Sequence, residues 1–318
     1  MWPVDRTAVP TTVEGMSSSR RLAAVLSLGA LSLGFTACAD DPDTQPASGE
    51  TRATDTLDPS PTQEPSESTG TSEPAGSGQA LPVYFVGDGP DGPRLFREFV
   101  QATGADPLTE AAGLVDSGGA QDPDYRTLWP GGAIAGAEAS DGMLVVRLEG
   151  DAFTEAPDGM RKRDARLAIQ QLVYTLQGVQ QERVPVQLVR ESGPQTLFGL
   201  DIAEPFKQAS PLKVLNHVNI TTPEQGATVA QGPLAVSGAA NSFEANVICG
   251  LAGTESDEGD TPFTAEGWME DKLFPFSGEL DLSAVEPGEH TIFCSTDDPS
   301  GGAEGNGPHT DTKDITVE

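Results

Sequence analysis

Positive charge is scarce in this chain. Of 318 residues, 18 are Lys or Arg against 49 Asp or Glu, a formal net charge of −31. A surface this acidic repels phosphate backbones and anionic headgroups, which excludes nucleic acid as a partner and excludes a polybasic membrane patch. Histidine is rarer still. His217, His290 and His309 are the whole complement; none has a second His or Cys at metal-ligand spacing, so each reads as a surface or strand-end residue. The chain also lacks a Gly-x-Ser-x-Gly elbow, a phosphate loop and a dinucleotide fingerprint, so nothing in it points to a cofactor or a catalytic residue. Carboxylates are too abundant for any one pair to be singled out. Glycine and proline, 36 and 26 residues, are plentiful, which points to a part of the chain outside any packed core.

One uncharged run stands near the N-terminus. Arg20 and Arg21 precede Leu22 to Phe35, a stretch with the length of a secretory h-region and too short to span a hydrocarbon core. Residues 1–37 therefore read as a signal region, with Met16 as the expected start because Met1 to Gly15 is polar and aperiodic. The following Thr36-Ala37-Cys38-Ala39-Asp40 resembles a bacterial lipobox, with Phe35 at the position usually held by Leu. That resemblance implies acylation of the Cys38 thiol and a chain that begins at Cys38 after cleavage. An ordinary cleaved signal with an incidental Cys is the alternative. From Ala39 to Ala80 the sequence holds nine acids, one Arg, one Leu and no aromatic. Such a segment cannot bury enough apolar surface to offset its chain entropy, so residues 38–80 read as a lipidated Cys followed by a disordered acidic linker.

Apolar patterning begins at Leu81. Leu81 to Gly87 reads as a strand closed by a turn at Asp88 to Pro93, Arg94 to Val100 as either strand or helix, and Pro107 to Val115 as a short helix stopped by Gly118-Gly119. Ala133 to Leu148 reads as a strand pair. Ala165, Ala168, Ile169, Leu172, Val173 and Leu176 form one stripe at helical spacing, the clearest helix of the chain. Val184 to Val189 and Thr196 to Leu200 read as a hairpin.

The strand Val83 to Val86, the segment Tyr125-Arg126-Thr127-Leu128-Trp129-Pro130-Gly131-Gly132 and the helix with Gln171-Leu172-Val173-Tyr174-Thr175-Leu176 resemble a GerMN domain over about residues 81–208. The resemblance implies a compact α+β unit of the sporulation and germination type, related to ring-building envelope motifs and not known as catalytic. Residues 213–318 are short alternating strands, with Phe243, Ala245, Val247, Cys249 and Leu251 alternating along one of them, and they indicate an all-β immunoglobulin-like sandwich. Here Pro223-Glu224-Gln225-Gly226, Val236 to Ala240 and Phe243-Glu244-Ala245 resemble the immunoglobulin-like domain that accompanies GerMN in germination-associated proteins. Cys249 and Cys294 depart from that pattern. Both lie on otherwise apolar strand faces, expected on the third and sixth strands as neighbours in one sheet. In an oxidising compartment they are expected to form a disulfide, with free buried thiols the alternative. The acidic loops Glu255 to Asp260 and Asp297-Asp298 have charge suited to weak Ca²⁺ binding but no EF-hand ligand pattern, and read as solvated charge. Trp129 and Trp268 read as residues packed at domain edges, an exposed Trp in a sandwich loop being the alternative that serves recognition.

The sequence thus predicts a signal region, a tether, an α+β GerMN-like domain and a β-sandwich. Its expected function is that of a non-catalytic, lipid-anchored protein on the outer face of the cell membrane that binds envelope proteins or cell-wall components, with a link to sporulation or germination. An envelope hydrolase and a solute-binding lipoprotein are the alternatives; the latter would need a cleft between the domains.

Overall fold

A computed structural model describes residues 79–253, 260–300 and 306–318, all within one compact unit. Cys38, the signal region and most of the linker lie outside the described residues, as do residues 255–259 of the first acidic loop. Among the described residues no helix is long and apolar enough to cross a membrane.

The first domain opens with a hairpin of β1 (Ala80–Gly89) and β2 (Gly92–Gln101). Leu81, Val83 and Phe85 alternate inward, and Gly92 closes the turn at φ 115°, backbone that glycine adopts without strain. The segment from Arg94, open between helix and strand in the sequence, is a strand because it pairs along its whole length with β1. Helix α1 (Pro107–Ser117) starts where Asp106 accepts a hydrogen bond from Thr109 N and Pro107 occupies the first turn. Strands β3 (Ile134–Ser140) and β4 (Met143–Leu148) form an antiparallel pair. Helix α2 (Lys162–Gln180) follows, held at its start by Asp164, whose carboxylate accepts from the Arg161 backbone N–H. Its apolar stripe, Ala165 through Leu176, is buried against α1 and β1 in the main core.

The next strand corrects the expected hairpin. β5 (Val186–Val189) pairs with β4, in parallel, while β6 (Thr196–Leu197) and β7 (Leu200–Asp201) pair with each other. Parallel neighbours need a long crossover, and α2 supplies it between β4 and β5; Val186 and Leu188 are buried on the side that packs with α2. A one-turn helix, α3 (Pro211–Val214), leads out of this domain.

The second domain is a sandwich of two sheets. One has the order β13 (Phe274–Asp281), β10 (Pro233–Ala240), β8 (Val218–Thr222); the other runs β12 (Thr261–Thr264), β11 (Asn246–Leu251), β14 (Gly288–Thr296), β15 (Thr310–Val317), β9 (Ala227–Val229). The core between them holds Val236, Val247, Phe276, Ile292 and Ile315. The architecture is α+β followed by an immunoglobulin-like sandwich. Phe243 and Ala245 were expected inside a strand, and the structure overturns this. Phe243–Ala245 is a tight 3-10 turn with Glu244 at φ 51° and Ala245 at φ 61°, so the alternation is broken there and the strand begins only at Asn246.

Candidate functional site

Two regions of the described surface are built in a way that packing alone does not require. The first is the seam between the domains. Its apolar part joins Val86, Leu95, Leu167, Tyr174 and Leu215, with Leu273 of the sandwich packed against them. Asn216 N donates to Leu95 O at 2.9 Å, and Arg97 N donates to Asn219 Oδ1. Beside this lies a buried charge cluster. Lys313 Nζ donates to Asp122 Oδ2 at 2.5 Å and to Tyr125 OH at 2.9 Å, and Tyr125 OH donates to Asp311 Oδ1. Asp311 Oδ2 accepts from Ile220 N, while Glu98 accepts from the backbone of Gln121 and Asp122. Burial pushes Asp311 up to about 6, against the opposing pull of Lys313, and burial likewise raises Glu98 and, well above its usual value, Tyr125. Lys313, whose two hydrogen-bond acceptors Asp122 and Tyr125 both belong to the first domain, and Asp311, which accepts from Tyr125, tie the two domains in one relative position.

These seam residues were missed in the sequence. A signal was present, however. On β15 the inward positions are Asp311, Lys313, Ile315 and Val317, so alternation anchored on Ile315 and Val317 already aims an Asp and a Lys inward, where ions occur only with partners.

Two of the three histidines meet at the same seam instead of standing apart on the surface. The rings of His217 and His309 stack with centroids 3.8 Å apart. His217 Nε2 donates to Leu212 O and His309 Nδ1 to Asn216 Oδ1. Burial lowers both, His309 to about 3 with His217 and Arg94 adding to the effect. Burial thus favours the neutral form of both stacked rings. His290 is half-buried near the start of β14, and its Nε2 donates to Glu286 O.

The second region is an apolar patch at one end of the sandwich. Phe243, Trp268 and Met269 are 44 %, 36 % and 82 % exposed and are the large apolar side chains that stand out from the described surface. Phe243 and Trp268 meet edge to face at 5.4 Å. Phe243 is presented by the turn with two residues at positive φ, and Asn241 Nδ2 ties that loop to Glu270 O and Lys272 O on the Trp268 loop. Single exposed apolar residues are ordinary, whereas several gathered on two tied loops mark a contact surface. Trp129, by contrast, is buried and donates from its indole N to Ala168 O.

Of the residues singled out in the sequence, Cys249 and Cys294 are brought together. They stand directly opposite one another on β11 and β14 and are bridged by a disulfide, Cα to Cα 4.1 Å. The strands are neighbours in one sheet, although they are the fourth and seventh of the domain because β9 adds a short strand. The carboxylates of the second acidic loop already accept hydrogen bonds from the protein, Asp297 from Asn246 Nδ2 and Asp298 from Ser300. Among the described residues no three His, Cys, Asp or Glu side chains group as a metal site.

Two families match this chain in succession. One, described as sporulation and spore germination, matches residues 82–195; the other, the immunoglobulin-like domain of bacterial spore germination, matches residues 217–303. Curated proteins yield no match. Solved structures with similarity include an engineered protein (14 % identity, 37 % of this chain and 22 % of that one, TM-score 0.25). The tandem GerMN domains of the sporulation protein GerM from Bacillus subtilis match at 12 % identity, 65 % of this chain, 63 % of that one and TM-score 0.33. A putative lipoprotein from Clostridium perfringens matches at 16 % identity, 41 % of this chain, 87 % of that one and TM-score 0.27. The chain spans less than two thirds of the length of the first two.

Proposed function

For a chain that carries a sporulation and spore germination domain followed by an immunoglobulin-like domain of bacterial spore germination, we propose a non-catalytic binding role in the cell envelope, linked to sporulation, germination or cell-wall processes. The lipid on Cys38 anchors it on the outer face of the membrane, the acidic linker gives reach, and the two locked domains are presented to a protein or cell-wall partner. The gathered Phe243, Trp268 and Met269 carry this reading: apolar area exposed on two tied loops is a cost that a docking partner would offset.

Two measurements test it separately. Metabolic labelling with a palmitate analogue should mark the wild-type chain and not Cys38→Ala; equal label on both removes the anchor. A photo-crosslinking residue placed at Met269 in cells should give discrete adducts that Trp268→Ser weakens, while the same residue at exposed Glu191 gives none. Absence of adducts at Met269, or adducts that ignore Trp268→Ser, removes the docking patch and leaves the anchor untouched.

A further inference from the structure

The first domain has a cleft of about 560 Å³ bounded by the start of α2, β7 and the link into α3. Its walls include Leu200, Phe206 and Val214, all partly exposed, and its rim includes Arg163, Arg166 and Lys213. This is an unusual gathering in a chain with 18 cations against 49 acids. Arg163 and Arg166 lie three residues apart on α2 and so project on one face, and Lys213 faces them from α3. Of the acids nearby, Asp164 is paired with Arg161 and Arg163 and Asp91 with Arg94, while Asp271, which feels the charge of Lys213, accepts hydrogen bonds from Ser210 and Leu212. Among the described residues neither Arg166 nor Lys213 is in an ion pair.

The walls are fixed before anything enters. Gln170 clamps the link to α2, donating to Lys207 O and accepting from Ala209 N. On the other side Arg94 Nη1 donates to Leu212 O, and Asp271 accepts from Ser210 Oγ and Leu212 N.

We propose that this cleft binds a small amphiphile with one anionic head, a carboxylate or a phosphate monoester, on an apolar stem. Three observations converge on that class. The volume lies in the range of small-molecule sites. The apolar side chains suit a partner with an apolar body, and Arg166 and Lys213, the two rim cations outside any ion pair, suit a negative end. The acidity of the rest of the molecule does not defeat this, because charges more than about 8 Å away are screened at physiological salt. It does disfavour an extended anionic membrane surface, which would meet the net −31 as a whole. The inference concerns a different face from the Phe243 patch and holds whether or not Cys38 is acylated.

The test uses the purified full chain carrying Cys38→Ala, titrated calorimetrically below their micelle concentrations with dodecyl phosphate and with dodecanoate, and in parallel with 1-dodecanol and inorganic phosphate. At least one dodecyl anion is expected to bind, with dodecanol and inorganic phosphate each about tenfold weaker or worse; which anion binds tells a phosphate head from a carboxylate head. The exposed double exchange Arg166→Glu with Lys213→Glu is expected to lower the anion's affinity by about tenfold or more while circular dichroism and the melting curve stay as in the parent. Phe206→Ser is expected to weaken the dodecyl anions and not to alter the response to inorganic phosphate. Failure of both anions to bind, equal binding of dodecanol, equal binding of inorganic phosphate, or parent-like affinity in a folded charge-reversal variant would each overturn the proposal.

Discussion

Lys313 and Asp122, from different domains, meet at 2.5 Å with side chains only 4 % and 2 % exposed. Neither ion has water to fall back on, so the pair serves less as a source of stability than as a constraint on how the domains sit. Lys313→Met leaves Asp122 and Asp311 buried without their cation and should cost about 3–5 kcal/mol. Adding Asp122→Asn removes the orphaned charge and should recover part of that loss. Urea unfolding followed by circular dichroism measures both. A Lys313→Met midpoint equal to that of the parent would show that the pair is not buried in solution.

The same seam predicts two opposed pH effects. Asp311 is raised from its ordinary value of 3.8 to about 6, chiefly by burial, so its contribution is fully present below that ordinary value and is lost as pH rises through about 6. His309 is lowered from 6.5 to about 3, again chiefly by burial; its contribution is present above 6.5 and is lost as pH falls toward 3. Between about pH 4 and 6 the two run in opposite directions. Relative to the parent, Asp311→Asn should therefore gain stability as pH rises across that window, and His309→Gln should gain as pH falls. Urea midpoints measured across the window distinguish these trends, and differences from the parent that do not change with pH would contradict both.

How much of this was legible beforehand follows from what periodicity can carry. The α2 stripe and the β1 alternation are local patterns, and both elements stand where the spacing put them. The partner of β5 was not legible, because Val186 and Leu188 fit a hairpin and a parallel crossover equally well, and only the placement of α2 decides between them. The Phe243 turn escaped because residues at positive φ leave no mark when they are Glu and Ala and not Gly or Asn. The seam joins residues as far apart as Asp122 and Lys313, a separation of 191 positions, and the two histidines, at the starts of β8 and β15, meet only through the fold of the sandwich. Cys249 and Cys294 were legible as a pair because they were the two cysteines left after Cys38, on matching strand faces.

That bridge closes a loop with a sequence separation of 45. On chain-entropy grounds a crosslink of this span restricts the unfolded ensemble by about 4 kcal/mol. The double exchange Cys249→Ala with Cys294→Ala should therefore lower the unfolding free energy by an amount of that order, further increased by the volume lost at two fully buried positions. Comparing oxidised and reduced parent with the double variant separates the two causes: the reduced parent keeps the sulfur atoms and should fall between the others. A reduced parent as stable as the oxidised one would show that the crosslink itself contributes nothing.

Gly238 sits where β10 shifts register against β8. A Cβ built there would lie 2.1 Å from Asn219 O and 2.8 Å from the Phe276 ring. The ring could turn aside, but the carbonyl belongs to the neighbouring strand and cannot move without that strand. Asn219 is also the residue that receives Arg97 N from the first domain, so a displacement of β8 reaches the seam. Gly238→Ala should thus cost about 1–3 kcal/mol, as overpacking does, and should also loosen the domains. Hydrogen exchange at the Arg97 amide reports the second effect independently of global stability. An alanine variant that melts with the parent and protects that amide equally would mean that β8 has room the structure does not show.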